Sequence, residues 1–181
     1  MYTTKEKIEA YLGKSLTQTQ SQIESIIAGI DQYIDNFTNR TFDKTTATKY
    51  FDGNGRNSIL IDDLLSFTRV ELADKYADNF QDITDDVIPY PTEAPHFKLI
   101  YKGILTSGYQ NVKIVGEWGF NSVPKDIEFV STVLSAGALT EPSGAVKSER
   151  IGNYQVSYGE GGITDYNSAM AILKSRKRYY L

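Results

Sequence analysis

LTQTQSQIESIIAGIDQYIDNFTNRTF, residues 16–42, fixes the reading of everything around it. Its apolar residues Ile23, Ile26, Ile27, Ile30, Tyr33, Ile34 and Phe37 recur every three or four positions. That period puts them on one side of a helix, with polar residues filling the other. Thr19 or Ser21 can cap the start, so the spacing predicts a helix over about 20–39. After Phe42 the period changes. TATKYFDG (46–53) and SILIDD (58–63) flank the glycine-rich DGNGRN (52–57), which reads as a hairpin. SFTRVELAD (66–74) alternates again, and VIPYPTEAP (87–95) is a proline-punctuated loop or edge strand. HFKLIY (96–101) and QNVKIVGEW (110–118) complete a run of short strands.

Helical spacing flanks this β-rich stretch on both sides. Upstream, a short helix near 4–12 puts Ile8, Tyr11 and Leu12 on one side and closes at Gly13. Downstream, VPKDIEFVSTVLSAGAL (123–139) predicts a helix over about 124–138. Pro124 suits its first position, and Ile127, Val130, Val133 and Leu134 form the inward stripe. SERIGNYQVSYG (148–159) is an extended or hairpin segment turning at Gly152. A last helix over about 165–178 takes Thr164 or Asp165 as its cap and places Tyr166, Met170, Leu173 and the stem of Lys177 on one face. The expected fold is α+β. A small bundle of about four helices, residues 1–43 and 119–181, carries an antiparallel β domain inserted over 44–118.

Composition narrows the function. A chain of 181 residues is one domain, or one domain with a large insertion. With no cysteine, disulfides and thiolate metal sites are excluded. The N-terminal segment lacks the apolar core of a signal peptide, and no run approaches the ~18 apolar residues of a membrane span, so a soluble chain without a membrane partner is expected. Thirteen tyrosines stand against one tryptophan and one histidine. Tyrosine, an apolar ring with a wet end, suits both half-buried strand faces and protein interfaces.

Catalytic groups do not assemble in the sequence. His96, the sole histidine, has no serine or cysteine elbow to pair with. DGNGRN offers Asp52 and Asn54 to a calcium ion, but Arg56, Asn57 and Asp63 stand where an EF-hand loop needs a ligand, a glycine and a glutamate. The pairs Asp62–Asp63 and Asp85–Asp86, read as strand neighbours, point to opposite faces. GEGG (159–162) lacks the G-K-[ST] ending of a phosphate loop. These readings predict no enzyme, no metal and no cofactor.

The last nine residues, LKSRKRYYL (173–181), are different in kind. Lys174, Arg176, Lys177 and Arg178 sit within five residues and precede Tyr179, Tyr180 and Leu181, while the whole chain carries −4. Four cations and one aspartate give the last 17 residues +3, so the first 164 hold −7. A nucleic-acid-binding module would use the cations on phosphates and stack the tyrosines, but the acidic body would repel a duplex. Docking of the segment into another protein, with Tyr and Arg as anchors, is the other reading.

The order of segments resembles the head–tail connector (adaptor) proteins of long-tailed bacteriophages. DQYIDNFTNRTFD (31–43) leads into KYFDGNGRNSILIDDLLSFTRVEL (49–72), VIPYP (87–91), VKIVGEWGFNSVPKDI (112–127), KSERIGNYQVSYG (147–159) and ILKSRKR (172–178). The resemblance implies a structural virion protein, present in the host cytoplasm during assembly and then at the virion neck. It implies a ring, of twelve copies on a twelve-fold portal, that joins the portal to the stopper or tail-completion protein. Double-stranded DNA would pass through the ring without sequence-specific binding. The C-terminal residues Lys174, Arg176, Lys177, Arg178, Tyr179, Tyr180 and Leu181 would dock into the portal. FVSTVLSAGALT (129–140), rich in β-branched residues and carrying Gly137, departs from the long alanine-rich helix of such proteins and implies a shorter or frayed one.

Overall fold

The computed structural model describes the backbone of residues 1–140, 147–151, 154–158 and 160–179 and the side chains of 1–140 and 165–179. The fold is α+β. Among the described residues it comprises four α-helices, a six-stranded antiparallel sheet and a two-stranded one. The chain divides into two compact units, Met1–Arg40 with Val123–Leu181, and Thr41–Ser122.

In the first unit, α1 spans Lys5–Leu12 and ends at Gly13, whose φ of 64° is a left-handed conformation that costs glycine little. α2 spans Gln20–Thr38. Thr19 accepts from the Gln22 backbone N–H, and the Gln22 side chain accepts from the Thr19 N–H, a reciprocal capping box. Asn39, at φ 52°, closes the helix. α3 spans Lys125–Leu139, with Pro124 just outside the first turn rather than in it. α4 spans Glu160–Arg176, starting before Thr164. Its first turn contains Gly161 and Gly162. KSERI (147–151) and YQVSY (154–158) form strands β7 and β8 of an antiparallel hairpin; its expected turn residue Gly152 lies outside the described residues.

Ile23, Ile27 and Ile34 of α2 are buried, as their spacing requires, and Ile23 and Ile27 pack with Ile8, Ala136 and Leu139. Two features go beyond the apolar stripes. α3 touches all three other helices, so Ser131, Thr132 and Ser135 are buried beside Ile127, Val130, Val133 and Leu134. Asp31 of α2 is buried too, accepting from the Tyr2 backbone N–H at 2.8 Å and the Ser131 hydroxyl at 2.7 Å. Small hydroxyls let the helices approach closely and satisfy the carboxylate that the approach buries. No described helix is long and apolar enough to cross a membrane.

The second unit is built on strands β1 (Thr45–Phe51), β2 (Ser58–Leu72), β3 (Gln81–Asp82), β4 (Val87–Tyr90), β5 (His96–Tyr101) and β6 (Val112–Trp118), in the order β1-β6-β2-β5-β4 with β3 on β2. Two sequence readings are corrected here. SILIDD and SFTRVELAD are halves of the single strand β2, whose register shifts between Leu64 and Ser66 and again between Phe67 and Arg69. Its first half pairs with β5 and its second with β6. DGNGRN is also no hairpin turn, because β1 pairs with β6 (Phe51 opposite Val112) and not with β2. The glycines serve a close approach between loops instead. A Cβ on Gly53 would lie 2.0 Å from the Thr106 carbonyl oxygen, and the Gly55 N–H donates to Leu105 O at 3.0 Å. VIPY is an edge strand, where Pro89 costs no interior ladder bond.

β6 is central to its part of the sheet and alternates strictly: Val112, Ile114, Gly116 and Trp118 are buried. They meet Ile59, Ile61, Leu64, Val70 and Leu99 in the core of this unit.

Candidate docking surface of the C-terminal segment

The structure separates the seven candidate residues into groups. Arg176, the last residue of α4, places two guanidinium nitrogens 2.8 and 2.7 Å from one carboxylate oxygen of Asp126. Asp126 lies in the first turn of α3, where a negative charge also suits the helix dipole. The chain then leaves the helix against the end of α2. The Arg178 N–H donates to Thr38 O at 2.7 Å, supplying a partner for one of the carbonyls that a helix C-terminus leaves open. Asn39 Nδ2 donates to Arg178 O at 3.0 Å. Lys177 Nζ stands 5.3 Å from the Phe37 ring centre and 5.5 Å from that of Tyr179, both within cation–π range.

Residues 176–178 are therefore bound to their own bundle. Lys174 and Tyr179 point outward, Tyr179 with 71 % of its surface exposed. Among the described residues the Lys174 ammonium has no ion-pair partner. Tyr180 and Leu181 lie outside the described residues. Sequence reading missed Asp126, Thr38 and Asn39 as the anchors of this segment. An acid in the first turn of a helix was visible in VPKDIE, but its pairing with a cation 50 residues away was not.

Neighbouring groups hold the same bundle together. A 2.7 Å bond from Lys7 keeps the Glu128 carboxyl below its ordinary range, helped by Lys125 and opposed by partial burial. Burial pushes the Tyr11 hydroxyl up to about 12, reinforced by its 2.6 Å hydrogen bond to Asp165 of α4.

The rejected catalytic candidates are scattered. His96 opens β5 and is buried, with Nδ1 2.6 Å from Pro91 O, a local hydrogen bond. Asp62 pairs with Lys49 at 2.6 Å, while Asp63 is buried. Asp85 and Asp86 sit in a 3-10 turn (Thr84–Asp86) rather than on a strand, and Asp86 pairs with Lys102 at 3.0 Å. Asp52 accepts from the Gln110 N–H, and Asn54 bonds within its own loop. Of GEGG, residues 160–162 form the start of α4. Among the described residues no three His, Cys, Asp or Glu side chains gather as a metal-ligand set.

No protein-family model and no curated protein sequence matches the chain. Solved structures do. A chain in the neck of an empty gene transfer agent (GTA) particle, computed with C6 symmetry, aligns at TM-score 0.64 and 12% identity, over 97% of this chain and 88% of that one. A chain in the neck of the native GTA particle, computed with C12 symmetry, aligns at 0.56 and 13%, over 90% and 85%. A chain in the virion of the native particle aligns at 0.55 and 12%, over 97% and 89%. At such identity the likeness is one of fold, and it extends through nearly the whole length of the chain.

Proposed function

We propose that this chain is a structural connector subunit of the neck of a phage-like particle. Copies of it form a closed ring that joins the portal to the stopper or tail-completion protein and surrounds the passing DNA. The observation that carries the reading is the likeness of fold over 97% of the chain to a chain of a particle neck. The C6 and C12 symmetries of the two neck structures favour a ring, with twelve copies as the proposed number. The acidic body, −7 over residues 1–164, fits a channel wall on which DNA slides, because a net negative surface repels phosphates. The reading assigns the chain no reaction and no cofactor. A duplex-binding module is disfavoured: Arg176 is spent on Asp126, and the Lys177 ammonium sits between two rings.

The portal contact is proposed for Lys174 and Tyr179, which face outward, together with the terminal Tyr180 and Leu181 of the same segment. Arg176, Lys177 and Arg178 hold the segment in place for it. The test is co-purification with the cognate portal. Removing residues 174–181 would also strip the Asp126 and Thr38 contacts. The informative variant instead combines Lys174→Glu with loss of residues 179–181 and keeps Arg176 and Arg178. It is expected to keep its circular dichroism spectrum and to lose portal binding by at least ~tenfold, the effect of removing a hot-spot aromatic. Undiminished binding would remove the docking role from this segment.

A further inference from the structure

We propose that neighbouring copies in the ring dock through the β unit: a tyrosine-bearing loop pair of one copy sits on the outer sheet face of the next. The proposal rests on the ring reading above and names the contact that closes it.

The receiving face is formed by the first half of β2 with β5 and β4. Ile59 and Leu99 share the row that faces the core, opposite Pro89. The rows on either side, Leu60–Lys98–Tyr90 and Ser58–Ile100–Ile88, turn outward. Leu60, Ile88 and Tyr90 are each half or more exposed, and exposed Phe97 stands edge-on to Tyr90 at 5.7 Å. Isolated exposed apolar residues are ordinary, but four grouped on one sheet mark an interaction surface. Lys98 lies in register between Leu60 and Tyr90, and among the described residues its ammonium has no ion pair or hydrogen bond. β4 does not invite strand addition, being a four-residue edge whose Pro89 has no N–H. The contact is made by side chains of the face, and it calls for an apolar partner carrying an anion.

The same unit presents such a partner. In the turn 74–79, Asp74 Oδ1 accepts from the Tyr76 and Asp78 N–H groups, and Asp74 N donates to Asp78 O. The turn is tied to the loop 105–111 by Tyr109 N donating to Lys75 O at 3.3 Å. A Cβ on Gly108 would lie 2.7 Å from that same carbonyl oxygen. This bracing holds out Tyr76 and Tyr109, 75 % and 74 % exposed, beside Asp78, whose carboxylate has no partner among the described residues. A braced aromatic pair loses little entropy on docking. Rings are built from heterologous contacts, in which two different surfaces of one subunit meet. The one cation of the knob, Lys75, is held 5.6 Å from the Tyr76 ring centre, which leaves the unpaired Asp78 carboxylate to meet the Lys98 ammonium at the centre of the face.

Because the chain has no cysteine, the contact can be tested by cross-linking. The full chain carrying Lys98→Cys and Asp78→Cys is assembled with the portal, oxidised and run on a denaturing gel. A ladder of cross-linked multimers is expected, with none from either single variant. Adding Tyr76→Ser and Tyr109→Ser should cut the ladder at least ~tenfold while leaving the circular dichroism unchanged. Rings seen by native mass spectrometry without a ladder overturn this contact and leave the connector reading standing. Dimers from Lys98→Cys alone overturn it as well, since they show a self-paired face. Absence of any ring on the portal overturns both.

Discussion

Trp118→Ala is expected to cost about 3–5 kcal/mol, the range for deleting a large buried aromatic. Trp118 is 2 % exposed at the end of β6 and sits in the core cluster of the β unit. Its indole N–H donates to Ala47 O at 2.9 Å, its ring meets Phe51 at 5.8 Å, and Lys49 Nζ lies 4.7 Å from its centre. The substitution therefore removes packing, a hydrogen bond to the edge strand β1 and a cation–π contact together. With a denaturant slope of about 2 kcal/mol per molar urea, the unfolding midpoint should fall by roughly 2 M. The transition is followed by circular dichroism, since the only tryptophan is gone. Trp118→Phe, which keeps most of the volume and loses the N–H, should fall between. A loss under about 1 kcal/mol for the alanine variant would mean that β6 is not the centre of this core.

Asn111→Ala comes next, at about 2–4 kcal/mol, although it removes few atoms. The side chain is fully buried among three loops. Its Oδ1 accepts from Gly53 N–H at 2.8 Å, and its Nδ2 donates to Thr106 O at 2.9 Å and Ala73 O at 3.4 Å. Alanine leaves a buried N–H and two carbonyls without partners in a place where Gly53 and Gly108 already bring backbones into close approach. Asn111→Asp keeps the shape and one acceptor but loses both amide donors, and should be nearly as damaging. Urea titration of both variants measures the effect; a neutral Asn111→Ala would mean that the loops are held by backbone bonds alone.

These two residues show what could and could not be read in advance. α2 was legible because seven apolar residues keep an unbroken helical period and Thr19 offered a cap at its start, both purely local properties. The strands were legible as segments, since alternation in VKIVGEW is also local. Their partners were not. The pairing of Phe51 with Val112 joins residues far apart in sequence, and nothing near Phe51 encodes it. DGNGRN misled for a definite reason: glycines needed for loop contact look like glycines needed for a turn. The bulges that carry β2 through Leu64–Arg69 interrupt its alternation and made one strand look like two. Asp31 follows the same logic, since a carboxylate in an amphipathic helix reads as solvent-facing until α3 supplies Ser131.

The candidate docking segment was visible in composition but not in disposition. Four cations in five residues stand out in an acidic chain, and their density suggested a single uniform plug. Packing divides them: Arg176 closes the bundle on Asp126, Arg178 caps α2 through its backbone, and Lys174 and Tyr179 face outward. The cluster thus has an internal task as well as its proposed external one.

Cryo-electron microscopy of particles assembled with this chain tests the connector reading most directly. The expected image has a closed ring of α+β subunits immediately below the portal, twelve in number, with the end of α4 turned toward the portal and DNA density along the axis. A finished neck whose ring density cannot be fitted by this fold, or particles that join head to tail normally without the chain, would contradict it.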